Sequence, residues 1–232
     1  MLRGGGWLVL PPLNRVLYVL TGEVTVTHGG RAVGLEADRA WHGGGAGAVT
    51  ASERGATLLR CELIGEAGEE GPAWPGVSSR LLLKHALELD STQDYLMRCD
   101  RVEFAPGGEA LPHGHQGGGI RCLIAGALEI RVGGRPGQVM KPGAAWFESG
   151  VEPVHAVASA TEPTSFIRVS ILPRAIRGQS SIVYVDPTHA SAKPRKYTVF
   201  VDEPIEMGDP DMAPHTPQRS ARPGPAGAPS IL

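Results

Sequence analysis

The chain contains a pattern that occurs twice, and this repeat constrains its fold more than any single motif. "RVLYVLTGEVTVTHGGRAVGLEADRAWHGGGAGAVT" (15–50) aligns with "GIRCLIAGALEIRVGGRPGQVMKPGAAWFESGVEPVH" (119–155). Gly22 falls on Gly126, and "HGGRAV" falls on "VGGRPG". After a one-residue slip, Ala40-Trp41 falls on Ala145-Trp146 and Gly45 on Gly150. A shared register over this length is the mark of duplicated supersecondary structure. Each copy is a run of β-branched and aromatic residues punctuated by turn signals such as "HGGR", "VGGRPGQ" and "KPGAA", so the repeated unit is built of strands.

Further strand-like runs are "ATLLRCELI" (56–64), "YLMRCDRVEFA" (95–105), "SFIRVSIL" (165–172), "SIVYVD" (181–186) and "KYTVFVD" (196–202). The 32 glycines and 20 prolines suit many short strands better than long helices. "SSRLLLKHALEL" (78–89) reads equally as a short helix or an extended crossing segment, and "GEAGEEGPAWPG" (65–76) reads as a linker. These signals divide the chain into an N-terminal half (1–64), a linker and crossing segment (65–94), a second β unit (95–202) and a Pro/Gly-rich tail (203–232) with little to bury. The formal net charge of −2 gives no basic surface for nucleic acid, and no run is long enough to span a membrane. Cys61, Cys99 and Cys122 are scattered and odd in number, which suits free thiols in a reducing compartment; a cytoplasmic location is expected.

Candidate chemistry sits in the second copy. Residues i and i+2 of a strand share a face, so His113 and His115 of "PHGHQGGGIRCLIAG" aim together. His155 of "EPVHAV" lies on a later strand, and sheet closure would bring three imidazoles together as ligands for a transition metal. Arg121 has the parity of the two histidines; it faces either the cavity, as an anchor for a carboxylate, or a surface ion pair. Glu148 in "FESG" is a general-base candidate or turn surface. Neither "GGG" (43–45, 117–119) leads into a GK[ST] helix, so a phosphate loop is a poor reading.

These residues resemble the two motifs of the cupin family. His113 and His115 match the HxH pair, Gly126 the hairpin glycine, Pro142-Gly143 the PxG turn and His155 the second-motif histidine. Gly119 stands where cupins carry a metal-binding glutamate. The resemblance implies an all-β fold of two cupin-type jelly-roll barrels in tandem. By the same alignment the first copy puts Val9, Pro11, Arg15 and Thr50 at the ligand positions, so it is a structural half. The second copy is expected to hold a divalent metal on His113, His115 and His155, with Fe(II) foremost and Zn, Ni, Mn or Cu as alternatives. Gln116 or Glu148 would complete or support the site, and Arg121 and Glu148 would be its catalytic residues. The implied activity is that of a small-molecule enzyme, either dioxygenase-like or a metal-assisted isomerase or hydrolase. The rival readings are a non-catalytic ligand-binding barrel and a structural cupin without metal. Exposed strand edges make a homodimer an option.

Overall fold

The computed structural model describes residues 1–65, 74–191 and 195–207. The first group of strands is β1 (Trp7–Leu10), β2 (Arg15–His28), β3 (Arg31–Glu36), β4 (Ala40–Gly43) and β5 (Gly47–Glu62). The second is β6 (Tyr95–Phe104), β7 (Glu109–His115), β8 (Gly119–Ala125), β9 (Leu128–Val132), β10 (Gln138–Met140), β11 (Ala145–Glu148), β12 (Val154–Ala158), β13 (Thr164–Pro173), β14 (Ile182–Tyr184) and β15 (Arg195–Ile205). Single 3-10 turns follow β13 and β14. Among the described residues there is no α-helix, and therefore none long and apolar enough to cross a membrane.

The strands form three antiparallel sheets. The first runs β1-β5-β2-β3, with β4 paired to β2. The other two, β10-β9-β12-β7-β14 and β11-β8-β13-β6-β15, share one apolar core that includes Val102, Leu123, Leu128, Ile130, Trp146 and Phe166. Two sheets meeting on a common core make a jelly-roll sandwich. The opposite face of the β6/β13 sheet packs on β2: Val16 and Tyr18 join Met97, Cys99, Ile167, Val169 and Val201 in a second core between the two units. The first sheet closes on its own apolar core, because β2 and β5 break register around Gly22 and Gly55, both with positive φ.

Corresponding positions of the two copies share backbone conformation. Gly22 and Gly126 have φ of 77° and 72°. The hairpin pairs Gly29-Gly30 and Gly133-Gly134 have φ of 55°/75° and 55°/73°. Trp41 pairs across from Leu17, and Trp146 from Arg121.

Several expectations change. Residues 78–89 form neither helix nor strand; Leu87 and Leu89 pack against the core between the units, while His85 is exposed and stacked on Phe147 at 3.7 Å. Strand β15 continues to Ile205, past the expected end at 202, because Glu203 to Ile205 still pair with Met97 to Tyr95. Most of the 65–76 linker and the tail from 208 lie outside the described residues. The first-copy alignment also slips by one: Val9 is 40% exposed, and the inward residues of β1 are Leu8 and Leu10. Leucines thus occupy the interior of the first unit where the second carries histidines. Leu10→Ala is expected to lower unfolding free energy by about 2–5 kcal/mol, the usual cost of a core truncation. Val9→Ala is expected to stay within about 0.5 kcal/mol, the usual range for a surface change. Urea unfolding of the two variants checks the parity of β1.

Candidate functional site

Polar side chains gather inside the second unit from both of its sheets. The β11-β8-β13-β6 sheet places Trp146, Arg121, Arg168 and Asp100 in one cross-strand row. The neighbouring row runs Glu148, Gly119, Ser170 and Arg98. From the facing sheet, β7 contributes His113 and His115, whose rings meet edge to face with centroids 5.0 Å apart. His113, His115, Arg121, Trp146, Glu148 and Arg168 line one narrow cavity of about 20 Å³, together with Arg195, Tyr197 and an apolar floor of Val102, Phe104 and Leu128. That volume is about one water molecule's worth.

The glycine in the carboxylate position has a local cause. A Cβ on Gly119 would lie 2.4 Å from the carbonyl oxygen of Val169 and 2.6 Å from Ser170 Oγ. No side chain fits there. The carboxylate comes instead from the adjacent strand, because Glu148 pairs directly with Gly119. Glu148 Oε1 accepts the Trp146 indole N–H at 2.8 Å. Glu148 Oε2 lies 2.9 Å from Arg121 Nη2 and 3.4 Å from His115 Nε2. Both oxygens are therefore engaged, and the His115 contact ties the two sheets together.

Arg121 is fully buried. Its Nη1 donates to the carbonyl oxygens of Gly119 and Glu148. Its Nε has no hydrogen-bond partner, and Nη2 sits beside Glu148 at ion-pair distance but off the hydrogen-bonding direction. Charge attraction survives that misalignment; a directed hydrogen bond does not. Arg168 is interior and grips Asp100 through Nε and Nη2 at 3.0 and 2.5 Å. Arg121 and Arg168 are thus matched by the buried carboxylates of Glu148 and Asp100, as low-dielectric burial requires.

Burial sets the protonation states. It holds His113 at a pKa of about 4 and His115 at about 3, against the partly opposing Leu111 carbonyl and Glu148. Burial opposes ionisation of Glu148, but Arg121 and the bonds from His115 and Trp146 keep its pKa well below the usual carboxylate range. Arg121 is lowered by burial to about 10 and remains charged at neutral pH. His113 Nδ1 lies 2.6 Å from the Leu111 carbonyl oxygen, so that nitrogen carries the hydrogen and Nε2 keeps its lone pair. An ionised Glu148 only accepts, so His115 carries its hydrogen on Nε2. Its Nδ1 is buried without a partner.

His155 does not join this cluster. Val154, Ala156 and Ala158 take the inward face of β12, and a register irregularity separates Val154 from Ala156 in the pairing with β7. His155 therefore points outward, where its Nε2 contacts Glu109 Oε1. Gln116 also lies outside, bonded to the Ser180 carbonyl at 3.2 Å. Among the described residues no three His, Cys, Asp or Glu side chains are placed to hold a metal ion. The three-histidine set is thus corrected to two histidines facing a carboxylate that is already engaged, and this arrangement does not fit a divalent metal. His28 and His42 are half-buried, and His28 lies edge-on to Trp41. Trp146 has a polar role as well as a packing one, and Asp100 was not anticipated.

No family model matches the chain, and no curated protein matches it. Solved structures do. AerE from Microcystis aeruginosa superposes with a TM-score of 0.55 at 13% identity, covering 73% of this chain and 84% of that one. A mutant of Bacillus subtilis oxalate decarboxylase superposes with a TM-score of 0.58 at 12% identity, covering 82% of this chain and 71% of that one. The likeness is one of fold: an all-β jelly roll.

The depressed histidines give stability a pH dependence of definite sign. Below pH 6.5 the unfolded chain protonates these rings while the native one holds them neutral, so stability falls as pH drops toward 4. The slope is at most about 1.4 kcal/mol per pH unit for each histidine. His113→Gln and His115→Gln are each expected to flatten the fall between pH 6.5 and 4.5. Urea midpoints measured across that window check both.

Proposed function

We propose that the chain is a tandem cupin in which the first unit is a scaffold and the second binds a small anionic molecule at its polar centre. The observation that carries this reading is Arg121: a fully buried guanidinium with an unpartnered Nε, in a cavity shared with two neutral imidazoles. A carboxylate is the natural complement of a guanidinium, and the imidazole lone pairs suit a hydrogen-bond donor on the same guest. The first unit offers nothing comparable. Its interior is lined by Leu8, Leu10, Leu17 and Val19, and its buried Arg15 is satisfied by Glu62 and the Gly45 and Pro11 carbonyls.

The same residues are equipped for proton transfer. Glu148 fixes the His115 ring and leaves Nδ1 as the acceptor, the relation by which a carboxylate orients a catalytic imidazole. In the empty barrel His115 is a weak base, because burial opposes its cation. An anion seated on Arg121 favours the imidazolium and raises that basicity. The reaction class supported is proton abstraction or transfer on a small carboxylate, with His115 as base and Arg121 holding the negative group. The cavity holds about one water molecule, so a guest enters only where the lining side chains give way, and this narrowness favours a second reading, a barrel that binds without turnover.

Calorimetric titration with formate, acetate, oxalate and pyruvate tests binding. At least one is expected to bind saturably, and Arg121→Gln is expected to weaken it at least tenfold. Solvent deuterium appearing in the methyl group of pyruvate, lost in His115→Gln, supports proton transfer; binding without exchange supports the second reading. If none of the acids binds, the anion-site reading is wrong.

A further inference from the structure

We infer that Arg195 is the residue through which the second barrel captures its anion, by exchanging a hydroxyl partner for the incoming carboxylate. The inference rests on the anion-site reading and adds to it a route and the cation that selects the guest. Arg195 opens strand β15 and pairs across from Phe104. These two residues line both the inner cavity and an outer groove of about 450 Å³ that also touches Pro163, Ser165 and Lys196. They are the wall between the two spaces, so a guest in the groove reaches the inner cavity by moving them. Arg195 also closes a seam. Strand β14 is the edge of one sheet and β15 the edge of the other, and the bond from Arg195 Nη2 to the Tyr184 hydroxyl oxygen spans them at 2.9 Å. Tyr184 is in turn the cross-strand partner of His113.

Charge balance singles out this arginine. Three guanidinium groups line the inner cavity. Arg121 is paired with Glu148 and Arg168 with Asp100. Among the described residues Arg195 has no carboxylate partner; it bonds the Tyr184 hydroxyl, and its Nε is buried without a hydrogen-bond partner. The rings of Phe104 and Tyr197 lie 6.0 and 5.7 Å from its Cζ, a weaker support for a cation than a carboxylate gives. A guest carboxylate offers Arg195 both opposite charge and a two-oxygen fit to its planar fork. Arg121 and Arg168 would each have to loosen a buried ion pair to move as far. The other cation of the groove, Lys196, lies 3.7 Å from Glu103, which leaves Arg195 to select the guest.

The test is calorimetric titration of the full chain with formate, acetate, oxalate and pyruvate. For the acid that binds wild type, Arg195→Met is expected to raise Kd about tenfold or more, the loss of one charged hydrogen-bonding partner. Arg195→Lys keeps the charge without the fork and is expected to fall between the two. Tyr184→Phe deletes the competing hydroxyl and keeps the ring, and is expected to lower Kd by about two- to fivefold. A purely structural bond would give no such tightening. A folded Arg195→Met that binds as wild type does overturns the capture role. Tyr184→Phe that binds no more tightly than wild type overturns the exchange, whether or not Arg195→Met folds. Weakening by Arg121→Gln but not by Arg195→Met leaves the anion site standing and defeats this inference alone. Failure of wild type to bind any of the acids removes both.

Discussion

The ion pair between Arg121 and Glu148 organises the second barrel. Two charges buried between facing sheets are costly unless each is matched, and Arg121 is matched by one carboxylate and two backbone carbonyls. The pair dictates its surroundings. Gly119 must be glycine so that β13 can pass close by, and Trp146 must present its indole N–H to the free carboxylate oxygen. His115 stays neutral chiefly because burial penalises its cation, with Arg121 and Arg168 adding to that penalty against the opposing pull of Glu148. Protonation, packing and backbone choice at this end of the sandwich form one coupled arrangement.

Much of the fold was legible because its signals are local. Strand β2 ends where the beta-branched run meets Gly29-Gly30, and the repeated glycines take the same positive φ in both copies. The HxH pair was legible for the same reason, since alternation along one strand settles a shared face. What escaped were questions of register between strands. Glu148 was visible as a candidate, but its position opposite Gly119 depends on how β11 pairs with β8. His155 was misplaced because "VHAVA" is apolar on both faces, so the sequence does not choose which parity turns inward. Asp100 carries a weaker signal, a charged residue within the apolar "LMRCDRVEF" run, and its partner Arg168 emerges only from the pairing of β6 with β13.

The two units divide the work that a repeat makes available. Both keep the hairpins and the paired tryptophans, while their interiors differ in kind. The first holds Leu8, Leu10 and Leu17 inside and spends its buried arginine on tying loop carbonyls together. The second holds imidazoles, guanidinium groups and carboxylates. An apolar barrel supports its neighbour through the core formed by Val16, Tyr18, Cys99 and Val169, while the second carries the polar groups.

The central claim is that His115 is a neutral imidazole, with its hydrogen on Nε2 toward Glu148 and its lone pair on Nδ1. Nitrogen-15 chemical shifts of the histidine rings, followed from pH 7.5 to 4.5, test it most directly. The account predicts that His115 keeps the neutral Nε2–H pattern, with two well-separated nitrogen shifts, down to about pH 4.5. An imidazolium pattern for His115 by pH 6, or a neutral ring carrying its hydrogen on Nδ1, would contradict it.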